Sequence, residues 1–228
     1  VRAVGLLSGG LDSTVALALL HAREPGSVVL ALTFDYGQRA AARETESAAR
    51  IAARLGVRHR TVELPFFRDL AGGALLDRAQ ELPRPDLAAL DRGGAALAES
   101  ADRVWVPNRN GVFIEVAAAF AESLGADTVV AGFNREEAAT FPDNSREYLA
   151  ALNGALAYST RGKVVLASPT AELDKVGIVR AGAACGAPLD LIWPCYEGGR
   201  APCGTCESCQ RLRRAAARAG VALGRPDS

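Results

Sequence analysis

The sequence predicts a doubly wound α/β fold with a mostly parallel sheet and a small cysteine-rich C-terminal appendage, on three observations. Short β-branched or leucine-rich runs alternate with alanine-rich helical segments, the pattern of βα units. The turn Ser8-Gly9-Gly10-Leu11-Asp12-Ser13-Thr14 joins the first such run directly to a helical segment. Four of the five cysteines, Cys195, Cys203, Cys206 and Cys209, crowd into the last 34 residues. With 228 residues, 49% of them hydrophobic, the chain can bury one substantial core with a minor lobe beside it.

Taken in order, strands are expected near 3–8, 28–34, 58–63, 127–132 and 163–167, each a short apolar or β-branched run. Helices are expected between and after them, near 12–23, 39–55, 111–124, 144–158 and 174–184. Ile114, Ala117, Ala118 and Ala121 illustrate the apolar stripe at helical spacing. Two regions break the rhythm. Residues 73–103, with Gly72, Gly73, Pro83, Pro85, Gly93 and Gly94 around and within them, read as an inserted helical or mobile excursion, either a lid or an ordinary surface loop. Residues 190–228 carry the cysteines and then a helix-like GluSerCysGlnArgLeuArgArg stretch, so the chain divides into a domain at 1–189 and a metal-stapled lobe at 190–228.

Lys+Arg and Asp+Glu balance at 26 each, so no global field draws the protein to nucleic acid or to a membrane. No stretch approaches the roughly 20 apolar residues of a spanning helix. The opening VRAVGLLSGG lacks the longer apolar run of a secretion signal, so a cytoplasmic protein is expected.

The Ser8–Thr14 turn has the chemistry of a phosphate loop. Its glycines permit close backbone approach, while Ser8, Ser13, Thr14 and the first helix amides offer donors to a polyphosphate. Asp12 fits beside a polyanion as a Mg²⁺ ligand or as an organiser of the loop. Neither G-x-x-x-x-G-K-[ST] nor G-x-G-x-x-G is present. The structural alternative is a plain strand-to-helix turn capped by Ser13 or Asp12.

SGGLDS resembles the SGGxDS loop of the PP-loop, or N-type, ATP pyrophosphatases, an adenine nucleotide α-hydrolase-like fold. The resemblance implies that Mg²⁺ and ATP are bound along Leu7, Ser8, Gly9, Gly10, Leu11, Asp12, Ser13, Thr14, Val15, Ala16 and Leu17. It also implies attack at the α-phosphorus with pyrophosphate leaving. Further on come Asp35-Tyr36-Gly37-Gln38, Val106-Pro107-Asn108-Arg109-Asn110, and Trp193-Pro194-Cys195-Tyr196 leading into Cys203-Gly204-x-Cys206-x-x-Cys209. In this order they are similar to the 7-cyano-7-deazaguanine synthase family of queuosine precursor biosynthesis, from the first strand to about Arg214. The resemblance implies a ligase forming carbon–nitrogen bonds from ATP, a deazapurine carboxylate and ammonia, through an amide to a nitrile. One departure stands out. Where that family commonly reads Asp-x-Ser-Gly-Tyr-Pro-Asp-Cys-Arg, this chain has Glu136-Glu137-Ala138-Ala139-Thr140-Phe141-Pro142-Asp143-Asn144.

Asp12, Ser13, Arg109 and Lys175 are the catalytic candidates, Arg109 as a bidentate and Lys175 as a point-charge partner for carboxylate or phosphate. Each cation has a salt-bridged surface residue as its plain alternative. Asp35, Gln38, Asn108, Arg109 and Asp143 are the substrate-binding candidates, with turn formation around Gly37 the alternative for Asp35 and Gln38. The pattern Cys-x7-Cys-x2-Cys-x2-Cys suits a closed four-sulfur Zn²⁺ site of structural type, with an iron–sulfur cluster as competitor. Cys185 reads as a core thiol, and His21 and His59 as structural, so no cysteine–histidine pair is available for glutamine hydrolysis and ammonia arrives free or from a partner. Arg211, Arg213, Arg214 and Arg218 read as a solvated helical face, with phosphate or tRNA contact as the alternative. A homodimer that binds no nucleic acid is expected. The rival functions are a tRNA-thiolating relative and a nonenzymatic zinc module.

Overall fold

A computed structural model describes residues 1–70, 73–92 and 94–223; Ala71, Gly72, Gly93 and the last five residues lie outside them. In chain order the elements are β1 (Ala3–Leu6), α1 (Leu11–Arg23), β2 (Val28–Asp35), α2 (Ala41–Arg54), β3 (His59–Glu63), α3 (Leu87–Arg92), α4 (Ala95–Val104), α5 (Arg109–Leu124), β4 (Thr128–Val130), α6 (Arg135–Ala138), α7 (Arg146–Ser159), β5 (Val165–Ala167), α8 (Lys175–Ala184) and α9 (Glu207–Ala219). The five strands form one all-parallel sheet of order β3-β2-β1-β4-β5. Expected and observed elements coincide in type. β4 and β5 are shorter than their apolar runs because ladder pairing, which hydropathy does not report, stops after three residues.

Neighbouring residues of a strand serve opposite faces. Val4 joins Leu30, Leu32 and Val129 under Ile114, Ala117 and Ala121 of α5, so the expected stripe is the buried one. Ala3, Ala31 and Val130 pack on the other face against Val15, Ile51 and Ile178 of α1, α2 and α8. Covering both faces explains why β2 is an almost unbroken apolar run. Gly5 is required by α1. A Cβ there would stand 2.7 Å from Leu17 Cδ1, and full burial of a leucine is worth about 1.5–3 kcal/mol.

The chain leaves β1 toward β2 on one side and returns to β4 on the other, so the crevice beyond the carboxyl ends of β1 and β4 is the topological switch point where open α/β sheets bind ligands. The Ser8–Thr14 loop lies there.

The two irregular regions meet each other. In the insertion, α3 packs against α9, and Arg214 of α9 donates to Leu90 O at 2.9 Å. Pro83 O accepts the Glu207 amide. Leu191, Ile192 and Ala215 of the tail belong to the same core group as α1 and α8, so tail and sheet share one core. Arg213 and Arg218 stay exposed as expected, whereas Arg211 and Arg214 depart from the solvated face. Arg211 pairs with Glu207 at 2.7 Å and Glu136 at 2.8 Å, Arg214 with Glu136 and Asp91, and Arg218 with Asp91 at 2.7 Å. Sequence periodicity places these cations on one helix, but two of their three anions come from elsewhere in the fold, Asp91 from the insertion and Glu136 from α6, with Glu207 supplied by α9 itself. Cys185, expected in the core, caps the end of α8 and is half-buried because the helix stops at the surface.

Candidate active site

Loop chemistry begins with an uncapped helix. Gly10 is the N-cap of α1 and has no side chain to satisfy the first amides, which therefore stay open to an anion. Gly9 takes a φ of 79°, and a Cβ there would lie 2.7 Å from Glu44 O, so this bend needs glycine. Serines set its shape: Ser8 N donates to Ser13 Oγ at 3.1 Å, the two hydroxyls are 3.0 Å apart, and Gly10 N donates to Ser8 Oγ at 3.3 Å. Thr14 Oγ1 donates to Gly10 O at 2.6 Å. Gly132, just past β4, backs the loop so closely that a Cβ would stand 2.6 Å from Ser13 N.

Beside the loop, Lys175 Nζ lies 2.5 Å from Asp12 Oδ2 and also bonds Glu137 Oε1. Lys175 is buried at the start of α8, where Asp174 caps the helix by accepting from Gly177 N. Burial opposes its charge, but Asp12 and Glu137 outweigh that and push its pKa up. Burial likewise raises Asp12, to about 6, against the pull of Lys175. Glu137 goes the other way: burial would raise it, yet Lys175 leaves it below the ordinary carboxylate range. Asp12 Oδ1 is buried with no hydrogen-bond partner. An orphaned carboxylate oxygen beside open helix amides is suited to a divalent cation carried in with a polyphosphate. Only the ionised form of Asp12 suits a cation, so activity is expected to fall as pH drops through about 6. A kcat/KM profile flat from pH 8 down to 5 would contradict this role.

A cavity of about 280 Å³ opens from this cluster and is lined by Ser8, Asp12, Ser13, Lys175, Arg109 and Asp143, among others. Arg109 opens α5 and donates to Tyr36 Oη at 3.1 Å, its guanidinium 5.7 Å from that ring's centroid. Burial opposes its charge, but Tyr36 and then Asp143 hold it on. Asp143 accepts from Asn110 at 2.9 Å and from Asn144 at 3.1 Å, while burial raises its pKa. Leu7, Gly10 and Leu11 also line this space, as does Gln38.

Several candidates have other engagements, Gln38 while lining the cavity. Val15, Ala16 and Leu17 are buried in the core, because one turn into α1 the side chains point to the sheet. Gly9 and Thr14 shape the loop from behind. Asp35 accepts from Gly37 N at 3.0 Å, and Gln38 accepts from Tyr36 N at 3.0 Å while donating to Phe34 O and Glu44, so both brace the turn after β2. Asn108 precedes α5 in the left-handed region, outside the cavity lining. Glu44, Glu137, Tyr36 and Tyr196 line the cavity although sequence reasoning did not single them out as site residues. For Glu137 the signal was available, since it lies in the segment that departs from the family pattern.

The cysteine sulfurs of Cys195, Cys203, Cys206 and Cys209 all lie within 4.8 Å of one another. Four thiolates around one tetrahedral ion stand about 3.8 Å apart at a metal–sulfur distance of roughly 2.3 Å, so the set can hold a metal. Backbone amides already point at it: Glu197 N and Cys203 N donate to Cys195 Sγ, and Cys206 N to Cys203 Sγ, all at 3.3 Å. Hydrogen bonds from Cys195 and Cys209 bring Cys206 down to about 2, and its thiolate in turn pushes Cys195 up to about 12. So dense a group ionises fully only around a cation. The site abuts the loop through Trp193, whose amide donates to Gly9 O at 2.8 Å.

An all-parallel sheet with this glycine–serine loop and open helix start at its switch point defines the PP-loop class of α/β proteins. Residues 2–220 match the family described as queuosine biosynthesis protein QueC, and the chain belongs to that family. The 7-cyano-7-deazaguanine synthase of Pelotomaculum thermopropionicum is 53% identical, covering 98% of this chain and 100% of its own. That of Bdellovibrio bacteriovorus is 51% identical over 96% of this chain and 94% of its own. A solved structure, NMN synthetase from Francisella tularensis, has a TM-score of 0.48 and 15% identity, covering 98% of this chain and 79% of that one.

Proposed function

We propose that this protein is a carbon–nitrogen ligase that converts 7-carboxy-7-deazaguanine and ammonia to 7-cyano-7-deazaguanine, cleaving ATP between its α- and β-phosphates. The observation that carries the reading is the open amide start of α1 beside Asp12 and Lys175, in a chain that matches its family over 2–220. The α1 amides and Ser8 bind the departing pyrophosphate, Lys175 neutralises charge at the phosphates, and Asp12 holds the Mg²⁺ that ATP brings. Arg109 orients the substrate carboxylate. One carboxylate oxygen attacks the α-phosphorus and pyrophosphate leaves; ammonia then displaces AMP to give the amide. The amide oxygen attacks a second α-phosphorus, and loss of AMP and a proton leaves the nitrile.

Two supporting features bear on the alternatives. The α9 arginines Arg211, Arg214 and Arg218 are engaged with Glu136, Glu207 and Asp91, which favours small substrates over RNA. All five cysteines are free thiols, which suits the cytoplasm, and the four clustered ones are assigned to structural Zn²⁺. Among the described residues no helix is long and apolar enough to cross a membrane. A homodimer is the expected assembly, and sedimentation equilibrium checks it.

The test uses the 7-carboxamide. Purified protein given the amide and Mg·ATP without ammonia is expected to make the nitrile, with AMP and pyrophosphate as the other products, because nitrogen is already installed. Turnover of the acid with no turnover of the amide would discard the two-activation route. Release of ADP and phosphate would discard the α-phosphate assignment.

A further inference from the structure

Two aromatic rings at the cavity have no part in the charge chemistry. Trp105 follows α4 and is among the few large apolar side chains left exposed, at 37%. Phe141 follows α6 and is half-buried. Both line the cavity, with ring planes 7° from parallel and centroids 6.4 Å apart.

Both backbones are pinned where the rings project. Trp105 N donates to Asp102 O at 3.3 Å and its carbonyl accepts from Gly73 N at 3.2 Å; Phe141 N donates to Glu137 O at 2.8 Å and its carbonyl accepts from Asn144 N at 3.0 Å. These same two segments also carry two charged side chains of the cavity lining. Arg109 comes four residues after Trp105, and Asp143 two after Phe141. An ionised carboxylate has about four acceptor sites, so Asp143 keeps capacity beyond its bonds to Asn110 and Asn144.

We infer that Trp105 and Phe141 form the stacking seat for the planar bicyclic ring of the acid substrate, with Arg109 at its carboxylate and Asp143 at its N–H edge. This rests on the function proposed above and names its ring-binding residues. Adenine is the competing occupant, but it carries no carboxylate to meet Arg109, and the phosphate loop, Asp12 and Lys175 come from other segments. The seat also accounts for the departure at Phe141, since stacking uses the ring face and needs no hydroxyl.

The experiment measures affinity for 7-carboxy-7-deazaguanine and, separately, for Mg·ATP in wild type, Trp105→Ala, Phe141→Ala and the aromatic replacements Trp105→Phe and Phe141→Tyr. Each alanine variant is expected to bind the acid at least about tenfold more weakly, the scale of losing one base–aromatic stack. ATP affinity should stay unchanged, KM for the acid should rise with kcat largely kept, and the aromatic replacements should restore binding. Lost ATP affinity with unchanged acid affinity would give the seat to adenine and overturn the inference. Unchanged acid affinity in a wild-type enzyme that turns the acid over would overturn the seat alone. A wild-type protein that neither binds nor converts the acid would overturn the functional reading, and the seat with it.

Discussion

Asp12→Asn is expected to lower turnover at least about tenfold, and Ser13→Ala to a similar degree, the scale of losing one preorganised contact to developing charge. The two act differently. Asparagine keeps the shape of Asp12 but removes the charge that faces Lys175 and leaves one oxygen where two served, one for Lys175 and one, buried and unpartnered, that suits a cation. Loss of the Ser13 hydroxyl unties the amide and hydroxyl of Ser8, so the loop loses its curvature rather than a charge. Higher Mg²⁺ should therefore recover part of the Asp12→Asn loss only if the ion is still recruited by ATP, and should do nothing for Ser13→Ala. Steady-state rates equal to wild type in both variants would remove the phosphate-loop assignment.

Stripping metal should produce the other large effect. One Zn²⁺ per colourless chain is expected, and chelation or Cys206→Ser should abolish activity together with the folded tail. Structural zinc contributes about 10–16 kcal/mol of apparent binding energy in small zinc peptides, as much as the whole stability of about 5–15 kcal/mol typical of a domain. Without the ion, Ala40, Trp193, Cys195, Cys206 and Cys209 form only a small apolar group of their own. Damage should reach the active site by a short path. Trp193 N holds Gly9 O, and Ser47 Oγ bridges Gly9 O at 3.1 Å and Leu191 O at 2.6 Å, so the loop's left-handed bend is tied to the cysteine-bearing tail. Retained activity in metal-free protein would refute the coupling, and a brown protein with iron and acid-labile sulfide would replace zinc by a cluster.

Local signals made much of this molecule legible. A parallel sheet buried on both faces writes continuous apolar runs such as 28–34, and a phosphate loop needs its glycines and hydroxyls within one turn, so both can be read without knowing any long-range contact. Arg109 and Lys175 were readable as cations at loop–helix junctions, and both prove to be buried among partners.

Partners far apart in sequence decided the rest. Gln38 and Asp35 stand where a ligand contact was expected, yet their hydrogen bonds close the turn after β2, because a donor's target depends on which backbone groups fold beside it. Glu137, 38 residues before Lys175, shares its ammonium with Asp12, 163 residues before it, and neither distance leaves a trace in periodicity. Likewise the arginines of α9 carry the signature of an exposed basic face, and it is the packing of α6 and the insertion beside that helix that turns Arg211 and Arg214 inward to Glu136 and Asp91. By itself the sequence determined the sheet, the loop and the sulfur set, each specified within a few consecutive residues. Tertiary structure decided which charges are paired and which remain free for a ligand, because electrostatic pairing is set by distance in space rather than along the chain.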